Sequence, residues 1–341
     1  MTIIFLGFIV LCLFQLKPCA NNEGYMSREQ TQRINAVFVF LIFMSHFVTY
    51  VDLNQTHSEF YLYVRNFLKQ LVVVTFLFFS GYGMFESFKK KGEKYVRTVP
   101  MRFLKLLLRF DLAVILFYIL SLCIGVHYKP QTVLLSLTGW SSLGNSNWYV
   151  FVILCLYIVF YFSFRFTKER QLLSALLFTA GSIGLIILLM LVKDEGRWYN
   201  TILCFTAGVW YSYIQRPFEK ILGKSQIKYG IALLIMVLLF FLCHSRINVS
   251  LMAYEFTGIF FCMIIVLLSK RFYTGNRMLK WLGNHVFSIY ILQRIPMIIG
   301  RELGLNEYVF LYFFLSFVGT ALLAILFDWL TMNLEKRIFT R

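Results

Sequence analysis

Charge is scarce in this chain, and negative charge most of all: 16 Asp and Glu stand against 33 Lys and Arg, together 14% of 341 residues. With 59% hydrophobic residues there is too little polar surface to cover soluble domains, so the solvent must be lipid. Proline is nearly missing, at five residues, and no low-complexity tract or long hydrophilic insert interrupts the apolar runs, which excludes an appended soluble domain. No Cys-x-x-Cys pair occurs. The seven cysteines (Cys12, Cys19, Cys123, Cys155, Cys204, Cys243, Cys262) lie mostly inside apolar runs and read as small hydrophobes, neither zinc ligands nor a disulfide framework, so no metal site is expected. No clear internal repeat is visible, which weakens a transporter built from duplicated halves.

What the chain does have is long apolar segments. A spanning helix needs about 20 mostly apolar residues, and eleven segments can be read on that criterion: roughly 2–16, 34–52, 67–86, 108–127, 148–164, 172–192, 199–215, 229–245, 249–269, 284–300 and 308–332. The fold class is therefore all-α, a polytopic integral membrane protein with about 10–11 transmembrane helices. Two units are expected: 1–26, an N-terminal hydrophobic helix and cytoplasmic linker, and 27–341, a membrane-embedded domain. The first apolar run has no basic n-region, and Lys17 lies on its far side, which favours a retained helix over a cleaved signal peptide.

The net charge of +17 would suit nucleic acid, but its placement argues otherwise. If alternate connections lie on opposite sides, the set 17–33, 87–109, 165–170, 216–228, 270–280 and 336–341 holds 25 of the 33 basic residues and the other set holds eight. By the positive-inside rule the first set is cytoplasmic, the N-terminus is outside and the C-terminus inside. The basic excess follows membrane topology, so no nucleic acid is expected as a partner. Membrane lipid is, and the loop from Lys89 to Arg97 reads as facing it. Lipid-facing and subunit-facing helix surfaces look alike in composition, which leaves a homo-oligomer open.

Ionisable groups inside spans are the first places to look for chemistry. His46 lies about 16 Å along its helix from Asn35, in the outer half of the bilayer. Its imidazole suits taking a proton from a hydroxyl at neutral pH, and a structural hydrogen bond is the competing reading. Lys69, Arg294 and Asp111 lie near helix ends, where snorkelling explains them. Glu255 and Asp328 are deeper and suit either pairing with a base or helix packing. Arg102, Lys105 and Arg109 fall at i, i+3 and i+7, on one helical face. Three cations in that register suit the phosphates of a cytoplasmic nucleotide-like donor. Glycines 81, 83 and 144 suit close helix approach or a turn. The outer loops 53–66 and 128–147 are long enough to shape an acceptor site, with Trp140, Asn145 and Asn147 as candidates.

Several motifs, taken in order, resemble the membrane-bound acyltransferase-3 family, in particular members that O-acetylate bacterial surface polysaccharides. Ser27-Arg28-Glu29-Gln30-Thr31-Gln32-Arg33-Ile34-Asn35, running into the helix of His46, is similar to that family's opening segment. Phe79-Ser80-Gly81-Tyr82-Gly83 resembles its serine-glycine-tyrosine signature, Arg102-x-x-Lys105 its paired arginines and Asn147-Trp148-Tyr149 its aromatic helix start. Trp281-Leu282-Gly283 with Ser288-Ile289-Tyr290-Ile291-Leu292 resembles its late helix. The likeness runs from about 27 to 335 and rests on the order and spacing of the motifs.

The resemblance implies a bacterial plasma-membrane enzyme that moves an acyl group from cytoplasmic acetyl-CoA to a hydroxyl of a polysaccharide or lipid-linked sugar, with no permanently bound cofactor. His46 would be the catalytic histidine, a general base for direct transfer, because no Ser or Cys forms an evident nucleophile pair with it. Arg102, Lys105, Arg33, Asn35 and Arg109 would serve the donor. Ser80, Tyr82, Asn147, Trp148, Tyr149, Tyr290 and Gln293 would line the site. Three positions depart from the family pattern: Asn35 stands where a basic residue is usual, Lys105 where a second arginine is usual, and Gln293 where a histidine often closes the late helix. A transporter or flippase of lipid-linked glycans and a catalytically inactive membrane paralogue are the alternatives.

Overall fold

A computed structural model describes residues 1–53, 58–168, 170–223 and 225–339. Every apolar segment is helical in it. The first is the 12-residue α1 (Thr2–Leu13), followed by a short strand, β1 (Leu16–Pro18). The histidine-bearing helix α2 (Arg28–Phe47) opens earlier than hydropathy suggests because Ser27 caps it, its side chain accepting from the Gln30 amide. An amphipathic α3 (Glu59–Leu68) precedes α4 (Leu71–Lys91). After α5 (Glu93–Val96), α6 (Val99–Cys123) starts with Pro100 in its first turn, where a missing N–H is harmless. Arg102, Lys105 and Arg109 therefore ride on a continuous helix.

The remaining elements are α7 (Pro130–Leu137), α8 (Trp148–Thr167), α9 (Gln171–Val192), α10 (Leu203–Leu222), α11 (Gln226–His244) and α12 (Leu251–Arg271). A strand β2 (Phe272–Thr274), then α13 (Arg277–Asn284), α14 (Val286–Leu292), α15 (Arg294–Glu302) and α16 (Val309–Phe339) complete the chain. Among the described residues seven helices are long and apolar enough to cross a membrane, counting α5 and α6 as one. The chain is an all-α integral membrane protein. The other four expected spans fall short of that criterion for visible reasons. α1 is apolar but short, α2 and α10 each carry a polar turn at one end, and the segment 284–300 is split into α14 and α15. Pro296 has no N–H to offer the Leu292 carbonyl, so the helix breaks at Gln293.

α4 is the centre of the bundle and packs most extensively on α10, with α2 and α12 on other sides. Two glycines set the α4–α10 crossing: a Cβ at Gly81 would lie 2.1 Å from the Phe205 carbonyl oxygen, and one at Gly208 2.0 Å from that of Phe78. The backbones touch, as small residues allow between membrane helices. Gly83 faces open space, and Gly144 has φ +102°, a turn conformation that suits glycine. α11 turns Ile231, Leu234, Leu238 and Phe241 outward, a surface that suits lipid.

The connections segregate into two ends. At one, Lys280 pairs with Glu29 at 2.9 Å, Tyr25 donates to Glu219 at 2.5 Å, Arg109 pairs with Glu335 at 2.5 Å, and Arg165 pairs with Glu93. β1 and β2 also pair there, antiparallel, and Asn276 donates to the Leu11 carbonyl at 2.7 Å. At the other, Met1 donates to Ser58, Lys69 to Asn248, and Lys193 to the Trp140 carbonyl; the Arg301 guanidinium lies over Tyr50. These two groupings follow the alternation of basic-rich and basic-poor connections read from the sequence. The first segment packs on the second, Phe8 of α1 stacking on Phe40 of α2 at 3.8 Å, and Phe40 in turn lies edge-on to Phe317 of α16 at 5.5 Å.

Candidate active site

The basic-poor end contains a cavity of about 480 Å³. α2 contributes Ile42, Ser45 and His46 to its wall, the end of α3 and the turn after it contribute Arg65, Asn66, Lys69 and Gln70, and α4 contributes Val72 and Val73. Trp148 at the start of α8, Tyr290 of α14, Arg294 of α15 and Arg197 of a short 3-10 turn at Gly196–Trp198 close it. The buried stripe of α2, with Ala36, Val39, Phe43 and Phe47, faces the bundle and leaves Ser45 and His46 partly exposed at the cavity.

His46 has no hydrogen bond to its Nδ1, which is buried without a partner among the described residues. Its own carbonyl accepts from Thr49 Oγ1 at 2.7 Å. Arg294 and Arg65 stand close enough to act on it electrostatically, and Arg65 Nε donates to Ser45 Oγ at 2.9 Å. Among the described residues the imidazole thus sits beside cations and no carboxylate, an environment that stabilises negative charge developing on a nearby oxygen.

His46, Trp148 and Tyr290 line this cavity together. Tyr149 lies behind it, edge-to-face with Tyr290 at 5.5 Å, with the Ser80 side chain beside it. Asn147 does not line it; its Nδ2 donates to the Gly139 carbonyl at 2.9 Å and fixes the loop ahead of α8. Asn145 likewise bonds its own loop, accepting from the Leu143 amide at 3.0 Å. Gln293 is fully buried, donating to the Tyr290 carbonyl at 2.9 Å, with Oε1 unpartnered among the described residues. Tyr82 faces the basic-rich end and donates to Gln215 at 2.8 Å.

The donor set is not one cluster. Lys105 and Arg109 on α6 share Glu335 of α16, at 3.8 and 2.5 Å, and the Arg102 guanidinium lies 5.0 Å over the Tyr95 ring. Arg33 is buried elsewhere, paired with Glu29 at 3.0 Å and donating to the Tyr273 hydroxyl at 3.3 Å. Asn35 has an unpartnered buried Oδ1 among the described residues. Thirteen residues of helix separate Arg33 from His46, about 20 Å.

Sequence reasoning missed Arg65 and Arg197, and it placed Lys69 and Arg294 at the lipid interface, whereas both line the cavity. Arg65 and Lys69, four residues apart, are distant in sequence from Arg197 and Arg294, and the four carry no motif. Their one common signal is that they belong to the eight basic residues of the basic-poor side. Asp328 does pair with a base, whose identity the sequence did not reveal: His285 Nδ1 lies 2.5 Å from Asp328 Oδ2, and Ser288 donates to Asp328 Oδ1 at 2.5 Å. The pair ties α14 to α16. Glu255 accepts from the Leu203 amide at 3.0 Å, a helix-packing bond at the start of α10. No group of three potential metal ligands forms among the described residues. Residues 54–57 of the outer loop 53–66 lie outside the described residues.

A second cation on this side is held by aromatic rings. The Lys193 ammonium lies 3.6 Å from the centre of the Trp140 ring and 4.0 Å from that of Trp198. Burial there pushes its pKa down. The contact joins the loop before α8 to the turn that carries Arg197.

No curated protein and no solved structure matches the chain. A family model described as an acyltransferase domain matches residues 34–329, from just before Asn35 through Asp328, and so takes in His46 and the whole cavity. The chain belongs to the acyltransferase-3 family.

Proposed function

We propose that this acyltransferase moves an acyl group, acetyl in the simplest case, from a cytoplasmic acyl-CoA to a sugar hydroxyl of a surface or lipid-linked polysaccharide in a bacterial plasma membrane. The observation that carries this reading is His46: an imidazole inside the family's matched region, partly exposed in a cavity of about 480 Å³ at the basic-poor end. The basic-rich end is the cytoplasmic one by the positive-inside rule, so the cavity opens towards the outside.

The donor's phosphates rest against Arg102 and Lys105, and its thioester reaches between the helices towards His46. The acceptor enters the cavity. His46 takes the proton of the sugar hydroxyl, the hydroxyl oxygen attacks the thioester carbonyl, the carbon–sulfur bond breaks, and the proton passes to the departing thiolate. The acyl group is transferred directly, since among the described residues neither a Ser nor a Cys side chain is hydrogen-bonded to the His46 ring.

Protein purified in nanodiscs is expected to be thermally stabilised by acetyl-CoA and to transfer label from it to an oligosaccharide. A glycan transporter or flippase would show neither effect, and an inactive paralogue would show no transfer. Absence of both effects in folded protein would overturn the proposal.

A further inference from the structure

The side of the protein holding the cavity is poor in basic residues, with eight of the 33, and four of those eight line this one cavity: Arg65, Lys69, Arg197 and Arg294. No Asp or Glu among the described residues lines it. Arg197 pairs with Glu195, but no described carboxylate pairs with Arg65, Lys69 or Arg294. Arg65 and Lys69 donate instead to the neutral groups Ser45 and Asn248, and Arg294 Nε is buried with no partner at all among the described residues. Gathering like charges in a partly enclosed space is unfavourable unless an anion neutralises them, and an unpartnered buried guanidinium nitrogen is costly by itself. Lys69 also has φ +46°, an uncommon conformation for a residue with a side chain, held where the chain turns from α3 into α4 beside the cavity.

We infer that the cavity binds an acceptor sugar carrying an oxyanion, a phosphate or a carboxylate, with Arg65, Lys69 and Arg294 as the anion-binding groups. A forked guanidinium matches either anion through two parallel hydrogen bonds. Trp148 offers a flat face for the sugar ring beside them, and the anion's position relative to His46 selects which hydroxyl meets the imidazole. The anion site deepens the acyl-transfer reading, since the bound sugar is taken as acceptor, but its existence is measured by binding alone.

The test uses the full chain in nanodiscs of neutral lipid and three probes: methyl glucoside, methyl glucuronide and glucose 1-phosphate. The wild-type protein is expected to bind one or both acidic probes at least about tenfold more tightly than the neutral one, with the preference shrinking as salt rises. The pair Arg65→Gln and Lys69→Gln should lose that preference by about tenfold or more, whereas Arg65→Lys should keep most of it. Comparing the two acidic probes separates a phosphate site from a carboxylate site. Equal affinity for all three probes in the wild-type protein, or an unchanged preference in the double variant, would overturn the inference. A fall in acetyl-CoA affinity in the double variant, with saccharide binding unaltered, would also overturn it by assigning the cations to the donor. Transfer is scored separately: binding without transfer would count against the acyl-transfer reading and leave the anion site standing.

Discussion

His46 is the residue on which the chemistry turns, and it was visible in the sequence as a lone imidazole in an apolar helix and as part of a recognisable motif order. Replacement by Ala or Gln should lower the transfer rate by about 10²- to 10⁴-fold, the usual range for general-base assistance, while membrane insertion and the thermal transition stay near wild type. Equal loss of folded protein would instead mark it as a packing residue. Arg65 and Arg197 were not legible, because residues in contact across α3, the turn at Gly196–Trp198 and α15 share no spacing along the chain. Lys69 and Arg294 were visible as charges but assigned to the lipid interface, since hydropathy alone cannot tell a helix end beside a cavity from one beside lipid. Lys193 offers a further check at this scale. A cation held between two indole rings contributes about 1–2 kcal/mol, so Lys193→Ala should lower thermal stability by an amount of that order, and it should loosen the turn carrying Arg197. A stability unchanged within error would argue that the Trp140–Lys193–Trp198 contact is incidental.

Among the elements, the α4–α10 contact and the break between α14 and α15 position the site. Gly81 and Gly208 let the two helices touch backbone to backbone, and a methyl group at either position would meet a carbonyl oxygen at about van der Waals overlap. Gly208→Ala should therefore cost about 1–3 kcal/mol, read as a lower unfolding temperature, whereas Gly83→Ala, facing open space, should change little. Similar effects from the two substitutions would contradict this description of the crossing. The serine-glycine-tyrosine motif was legible, but its meaning divides: Gly81 packs, Ser80 lies beside Tyr149, and Tyr82 bonds Gln215 at the other end. The split of 284–300 was not foreseen, although Pro296 was in plain view; a proline in an apolar run breaks or only kinks a helix according to what packs around it. Tyr290 and Arg294 flank the break and both reach the cavity. The His285–Asp328–Ser288 cluster locks α14 to α16, and its members are too distant in sequence for any local pattern to pair them.

For the whole molecule, each of the eleven apolar segments read from hydropathy is helical, seven of them long and apolar enough to span among the described residues, and the contacts at the two ends follow the alternation of basic-rich and basic-poor connections, because both signals are imposed by the bilayer and are local in sequence. Lateral arrangement carries no such imprint, so the central place of α4 and the peripheral one of α11 emerged only in three dimensions. The orientation of the two ends yields a direct prediction. Variants retaining only Cys123, exposed at the last residue of α6 at the cavity end, or only Cys19, at the basic-rich end, should differ in intact cells. An impermeant maleimide should label the first, and it should reach the second only after the membrane is opened. The reverse pattern would invert the topology and place the cavity in the cytoplasm.

The most direct test of the central claim is the mass of the surface glycan. Cells lacking this protein are complemented with the wild-type chain or with His46→Ala at matched membrane levels, and their glycans are compared by mass spectrometry. An acyl-sized increment restored by the wild-type chain and absent with His46→Ala is the predicted result; the same increment restored by both would contradict it.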